Sequence, residues 1–437
     1  MYLNRIINCL FAVALSVVFE VRKAKAAFRC VALAAAMSAS SWCLAQELAV
    51  APYAARDTFT LQSGYFSGDY ANNVDFAQFV LEQSRGTERI ARWMYHANPE
   101  KFNGAASRTV FLLGANVVNF FGNSFIAYHE WGHASRMEAG GQKALLFTCS
   151  QGNCPAQSRD FFGYASSMLF NIDGGTGSAE GATFFKANAD SGKATQAIVA
   201  GAGVNNEIFL AERNDEQYLI RGNGGVFGIF NSENRFAIAH YVTWASDGPG
   251  NDMTISARAY RTSGLDPDIQ PDDLRKINLL SAFSGAVVSD VLARLNFIVD
   301  GKTNAQPWLI NGFWVPNQYT YLSSRGITRK WVSGYAVSGS LKLLGSYESV
   351  ARGDQYSEIG LGAYKDFGTW DGYAKVTGKD FDSLNLEASA STDVAKDWRL
   401  GIKAYVWDSR SLLGERNTLD FSKNKTLQLS LALSYLY

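Results

Sequence analysis

Histidine is scarce in this chain, with four among 437 residues. Charge is scarce as well, at 18%, and it balances, since 40 basic residues stand against 40 acidic ones. A net charge of zero leaves no electrostatic footprint for nucleic acid, which is excluded as an expected partner. Cysteine is limited to five, and three of these (Cys9, Cys30, Cys43) fall within the first 45 residues. What the chain has in quantity is apolar residues (47%), glycine and aromatics. That bias suits a β-rich protein with much aromatic surface better than a cytosolic helical enzyme. At about 100–200 residues per domain, the length allows two or three domains or one large β-structure.

Residues 1–45 have the pattern of an export leader. Arg22, Lys23, Lys25 and Arg29 precede the apolar run Val31–Met37. Small residues and Cys43-Leu44-Ala45 then offer a cleavage site before Gln46. A second apolar block, Ile6 to Val21, opens with Asn4-Arg5-Ile6-Ile7-Asn8, and the two blocks together resemble the extended signal peptides of autotransporters of Gram-negative bacteria. A membrane anchor is the alternative; Cys43, preceded by Ser40-Ser41-Trp42, lacks a lipoprotein box. Cleavage removes five basic residues and one acidic, which leaves 35 and 39 and a net charge of −4. The two remaining cysteines, Cys149 and Cys154, close a short polar loop, and in an exported chain such a pair is expected to form a disulfide. Metal ligation by that pair is the weaker alternative, because no second pair of ligands adjoins it.

Two of the four histidines fall in Asn123-Ser-Phe-Ile-Ala-Tyr-His129-Glu130-Trp131-Gly132-His133-Ala-Ser-Arg136, inside a segment of helical character from Arg108 to about Glu138. On a helix, positions i and i+4 lie one above the other, so His129 and His133 present two imidazoles to one point. Glu130 stands one step round, within reach of a water on a metal held by that pair. Two histidines four apart could also be ordinary helix residues. The apolar turns that precede them (Val117, Val118, Phe120, Phe121, Phe125, Ile126) favour the metal reading. This H-E-x-x-H helix resembles that of the zincin metallopeptidases, over this helix and one more rather than the whole chain. The resemblance implies a zinc cofactor and a peptide or protein substrate. Zinc would lower the pKa of its water, Glu130 would take the proton, and the hydroxide would attack a peptide carbonyl.

A catalytic zinc site takes three protein ligands. The metzincin pattern is excluded, since Arg136 and Ala139 stand where it needs glycine and histidine. Zincins that take a glutamate from a later helix fit better, and Glu207 in Gly203-Val-Asn-Asn-Glu207-Ile-Phe-Leu is the first choice for third ligand. Ala211 stands where those families often carry an aspartate. The rival is Asp173, in an Asp-Gly setting that resembles the site-two intramembrane proteases. Asp290 is a weaker candidate. His240, on an expected strand, is more in keeping with a surface histidine than with a carbonyl-polarising one.

From Trp331 onward the texture changes to alternating segments: Trp331–Leu344, Tyr356–Phe367, Trp370–Gly378, Ser383–Thr392, Trp398–Trp407 and Thr426–Tyr437. The last sets Leu427, Leu429, Leu431, Leu433, Tyr435 and Tyr437 on one face against Gln428, Ser430, Ala432, Ser434 and Leu436 on the other. That strict period of two, ending on an aromatic, resembles the final strand of bacterial outer-membrane β-barrels, whose apolar face meets lipid. A strand of a soluble sheet is the alternative. Residues 56–66, a hairpin of Gly225–Phe230 with Arg235–Trp244, and Met253–Arg261 bring the expected strands to roughly eight to ten.

The expected fold is therefore α+β, with outer-membrane-type antiparallel barrel strands in the C-terminal half and an inserted helical metal-binding section. The divisions are a removed leader (1–45), an N-terminal strand with amphipathic helices (46–106), a helical zincin-like section with the disulfide loop (107–220), and a β-rich region (221–437) with one inserted helix at about 272–299. Three functions follow. The first is a zinc metallopeptidase of the bacterial envelope, in contact with outer-membrane lipid. The second is a non-enzymatic outer-membrane barrel with a structural or vestigial H-E-x-x-H. The third is an intramembrane protease with spans at 109–128, 194–212 and 277–299, where Asn, Glu207, Asp290 and Arg294 would be costly in lipid.

Overall fold

The computed structural model describes residues 58–63, 73–122, 125–142, 144–149, 180–184, 193–221, 226–227, 230–244, 251–303, 307, 309–379 and 383–436. Residues 1–45, read above as a leader, Cys154 and Asp173 lie outside these residues.

Ten strands form one antiparallel sheet: β1 (Thr58–Gln62), β4 (Leu309–Ile310), β5 (Phe313–Ser323), β6 (Gly326–Ala336), β7 (Leu341–Gly353), β8 (Ser357–Asp366), β9 (Trp370–Gly378), β10 (Leu384–Ala395), β11 (Trp398–Asp408) and β12 (Lys425–Leu436). Their order is β1-β12-β11-β10-β9-β8-β7-β6-β5-β4, so the first strand described pairs with the last, Thr58 opposite Leu436 and Gln62 opposite Ala432. No hydrogen bonds join β1 to β4 among the described residues, and the sheet is not closed. A separate antiparallel pair is formed by β2 (Leu145–Cys149) and β3 (Glu180–Phe184).

The helices are α1 (Asn73–Ala97), α2 (Ala105–Gly122), α3 (Phe125–Ala139), α4 (Lys193–Arg221), α5 (Phe230–Arg235), α6 (Ala237–Trp244), α7 (Asp252–Ser263), α8 (Pro271–Leu279), α9 (Gly285–Asp300) and α10 (Leu412–Asn417). The fold is thus α+β. Helix α4 lies against one face of the sheet and meets it through apolar packing, Leu219 against Gly334 and Gly201 against Leu322, and through many polar groups. Asn205 exchanges two hydrogen bonds with the backbone of Leu322, at 2.7 and 2.9 Å. Glu212 accepts from Lys330 (2.5 Å) and Tyr321 (2.6 Å), Glu216 pairs with Lys375, Arg213 with Glu387, and Asp215 accepts from Tyr319. Buried charges are tolerable only when paired and hydrogen-bonded, and these are. Helix α1 meets β12 in the same way, with Asp75 accepting from Ser430 at 2.5 Å.

The opposite face of the sheet is apolar and exposed. Register pairs Leu427 with Val406, Leu429 with Ala404, Leu431 with Ile402, Leu433 with Leu400 and Tyr435 with Trp398, all on this outer side. Leu427 and Leu429 are each 60% exposed and Leu431 59%.

Three expectations are corrected. The expected strands Arg235–Trp244 and Met253–Arg261 are helical instead, in α5, α6 and α7, while Gly225–Phe230, the other half of the expected hairpin, lies largely outside the described residues. The β-branched and aromatic residues there suggested strands, but burial follows helical spacing, with Met253, Ser256, Ala257 and Tyr260 all inward. Asn251 caps α7 through Met253 and Thr254, and Gly264 ends it at φ +77°. The helix expected at 272–299 is broken into α8 and α9 by a 3-10 turn at Leu280–Phe283, and the long segment 108–138 is divided into α2 and α3. His240 accordingly sits on α6, where it pairs with Glu233 at 3.0 Å near the surface.

Candidate metal centre

Helix α3 carries the H-E-x-x-H residues between two buried surfaces. Trp131 packs edge-on against Phe76 of α1, with ring centroids 4.3 Å apart, and Tyr128, Ala134 and Met137 are buried. The other side lies against α4 at very close range. A Cβ on Gly132 would come within 2.5 Å of the Ala202 carbonyl oxygen, so only glycine permits the approach. Asn206 of α4 fastens the crossing by donating to the Tyr128 carbonyl and to Asn73 Oδ1, both at 2.8 Å.

This packing turns His129 and His133 toward each other. Their Nε2 atoms are 3.3 Å apart, and Oδ2 of Asp252 lies 3.2 Å from the first and 3.1 Å from the second. Each imidazole is held from behind. Nδ1 of His133 donates to the Val199 carbonyl oxygen at 2.7 Å, and Nδ1 of His129 meets Oε1 of Glu207 at 2.5 Å. With each Nδ1 engaged on its far side, both Nε2 atoms face the Asp252 carboxylate and, without metal, hold protons against it. Three atoms able to ligate an ion thus converge on one point.

The spacing suits a small divalent cation. Bonds of about 2.0–2.1 Å in tetrahedral geometry place neighbouring ligand atoms roughly 3.3 Å apart, and the three edges here are 3.1, 3.2 and 3.3 Å. Gly203 of α4 leaves the room, since a Cβ there would overlap both Nε2 atoms, 2.5 Å from that of His133. Among the described residues these three form the group able to hold a metal ion.

Electrostatics agree. Burial opposes a charge on His129, but hydrogen bonds to Asp252 and Glu207 and the charges of Glu207 and Glu130 outweigh it, and its pKa stands well above the ordinary imidazole value. Burial acts likewise on His133, where Asp252 and Glu130 raise the pKa against the repulsion of His129. Burial also opposes ionisation of Asp252, yet the two imidazoles hold its carboxyl well below the usual carboxylate range. Its place in the first turn of α7 adds the favourable end of the helix dipole.

Of the residues expected from sequence, His129, Glu130 and His133 are together. Glu207 is adjacent but on the far nitrogen of His129, and the carboxylate that meets both Nε2 atoms is Asp252, which the sequence reading missed. Asp290 belongs to a different cluster, with Asp215, Arg235 and Arg294. Cys149 ends β2, and its expected bond to Cys154 falls outside the described residues. Tyr241 of α6 was also missed; its ring stacks on His129 (4.8 Å, 8°) and its hydroxyl lies 2.8 Å from Nε2. No family model matches this chain, and no curated protein matches it in sequence.

Proposed function

We propose that the protein is a metal-dependent hydrolase of the bacterial envelope, with zinc as its ion and peptide bonds as its substrate. One observation carries the reading, namely two Nε2 atoms and one carboxylate oxygen at ligand spacing with Glu130 between the histidines in sequence. Two histidines and a carboxylate form the usual ligand set of catalytic zinc sites that keep a position open. The same set suits ferrous iron, and Glu130 is what turns the reading to hydrolysis. Zinc held there would supply Lewis acidity toward water and a carbonyl oxygen.

The chain's own residues have separable tasks. His129, His133 and Asp252 bind the ion. Glu207 and the Val199 carbonyl fix the imidazole tautomers so that Nε2 points inward, which raises ligand basicity. Glu130 takes a proton from the attacking water and returns it to the leaving amine. Outer-membrane placement is supported by the inverted polarity of the sheet, apolar outside and charged within. Strand lengths of 9 to 13 residues in β7–β12 bracket those that cross a bilayer with tilt.

Tyr241 favours a second reading, in which the ion is structural. Its hydroxyl is close enough to His129 Nε2 to fill a fourth position, and closed four-ligand zinc sites are structural ones. The test is metal content by plasma mass spectrometry beside Asp252→Ala and His133→Ala, followed by peptide hydrolysis in Glu130→Gln. About one zinc per chain, lost in the first two variants, with hydrolysis lost but metal kept in the third, supports the enzyme. Zinc without hydrolysis in the parent protein supports the structural site, and a folded protein without metal removes both.

A further inference from the structure

The inverted polarity does not stop at the sheet. Helix α9 lies beside β5, with Gly285 against Val315 and the Ala286 amide donating to Asn317 Oδ1 at 2.7 Å. Its exposed residues are Val291, Leu292, Leu295, Asn296 and Val299, with Asp300 at its C-terminal end. Asp290 turns the other way, toward Asp215, Arg235 and Arg294. Helix α2 packs next to α9 and continues the surface with Val110 (71% exposed) and Leu113 (61%). Its one charged residue, Arg108, is spent on the carbonyls of Ile298 and Val299 at 2.8 and 2.6 Å, where it caps α9. Beneath the two helices, Leu112, Ala293 and Phe297 share a small core with Phe227 and Tyr218. Water-exposed helix faces ordinarily carry charge, and contiguous uncharged apolar surface marks contact with another apolar phase.

We propose that the outer faces of α2 and α9 lie in the hydrocarbon layer beside the sheet, so that lipid contacts a wall built of both strands and helices. This rests on the outer-membrane reading above and extends it. The occupant is lipid rather than a second chain because the same inversion, apolar outside and charge inside, runs across surfaces of two kinds, the strands and the helices beside them. A bilayer is the one partner that encloses them all. Among the described residues no single helix is long and apolar enough to cross a membrane; by length and composition alone the pair Pro271–Phe283 and Gly285–Asp300, bent by 60°, matches a broken span. Helices at that position also answer the open edge of the sheet, because unpaired strand groups cannot face lipid.

The test places nitroxide labels, one at a time, at Leu113→Cys, Leu295→Cys, Leu429→Cys and Lys423→Cys in an otherwise cysteine-free chain. The protein is reconstituted in phosphatidylcholine–phosphatidylglycerol vesicles, and each label's accessibility to oxygen and to a water-soluble nickel chelate is read. Leu429 on the sheet and Lys423 in a turn are the lipid and water references. Oxygen-accessible, nickel-protected labels at 113 and 295, matching 429, bear the proposal out. Nickel access at 113 and 295 with 429 still protected overturns it and leaves the sheet reading standing. Shielding of 113 and 295 from both reagents overturns it in favour of a covering protein. Nickel access at 429 as well removes the outer-membrane reading itself.

Discussion

The carboxylate of Glu207 lies 2.5 Å from Nδ1 of His129, on the side of the ring away from the Nε2 atom that faces His133 and Asp252. On the metal reading, that position fits Glu207 as an orienting group and Asp252 as the ligand. The two roles differ measurably. Glu207→Gln keeps a hydrogen bond to the imidazole and is expected to weaken metal binding by about 10- to 100-fold, as removal of such partners does elsewhere. Asp252→Ala removes a ligand and should leave no stoichiometric binding. Competition with a chromophoric chelator reads both, and a Glu207→Gln variant as deficient as Asp252→Ala would return the ligand role to Glu207.

Gly203 faces the same centre from α4. An added methyl would overlap both Nε2 atoms, so Gly203→Ala should expel the metal by taking its place. Overpacking of this kind costs roughly 1–3 kcal/mol in stability. The expected outcome is a folded protein with normal far-ultraviolet dichroism, a lowered melting temperature and no bound metal. Full zinc occupancy in Gly203→Ala would mean that the two imidazoles do not share one ion.

How much of this was legible beforehand varies with how local the signal is. The motif helix announced itself through His129, Glu130 and His133, because a four-residue spacing on one helix is a local fact. The strands from Trp331 were legible for the same reason, since Leu427 to Tyr435 carry a period of two that no helix shares. Asp252 was not. Its place depends on α7 folding back against α3, a contact across 119 residues from His133. The segment that carries it also looks strand-like by composition, although Asn251 and Gly264 were cap signals at either end. Glu207 was singled out as the third ligand, and the fold sets it against Nδ1 of His129, a placement that spacing along a helix cannot show. The polar lining of the sheet was half visible, as the Gln428–Ser430 face, while its partner charges on α4 depend on a packing against the sheet that spacing along the helix does not show.

Metal and protons compete for the same two nitrogens. Both imidazoles have pKa values raised from 6.5, so in the metal-free protein their protonated forms are bound more tightly by the fold than by the unfolded chain. The stabilisation from that shift is complete below about pH 6.5 and is lost as pH rises through the raised values. Metal binding runs the other way, because it must displace those protons, and affinity should rise by about tenfold per pH unit for each proton released. Melting temperature should therefore fall with pH in chelator and rise with pH in zinc. Titration calorimetry in buffers of different ionisation enthalpy counts the protons. A metal affinity flat from about pH 5 to 8 would show that the histidines are not the ligands.

The outer face of the sheet separates lipid from water by the response to charge. Leu431 is 59% exposed and stands mid-way along the leucine stripe of β12. On a soluble protein, an exposed leucine replaced by arginine changes stability by no more than about 0.5 kcal/mol. On a lipid-facing strand, the same change costs about 2–4 kcal/mol at the bilayer midplane and falls to about 0–1 near the interface. Leu431→Arg should thus be strongly destabilised in vesicles while Lys425, one end of the same strand, tolerates a change to arginine without effect. Ser430→Ala, one residue away but on the inner face, removes the hydrogen bond to Asp75 instead and should cost about 1 kcal/mol in vesicles and in detergent alike. Equal stability of Leu431→Arg and the parent protein in lipid would mean that the leucine stripe meets water, and the inverted polarity of the sheet would then need another explanation.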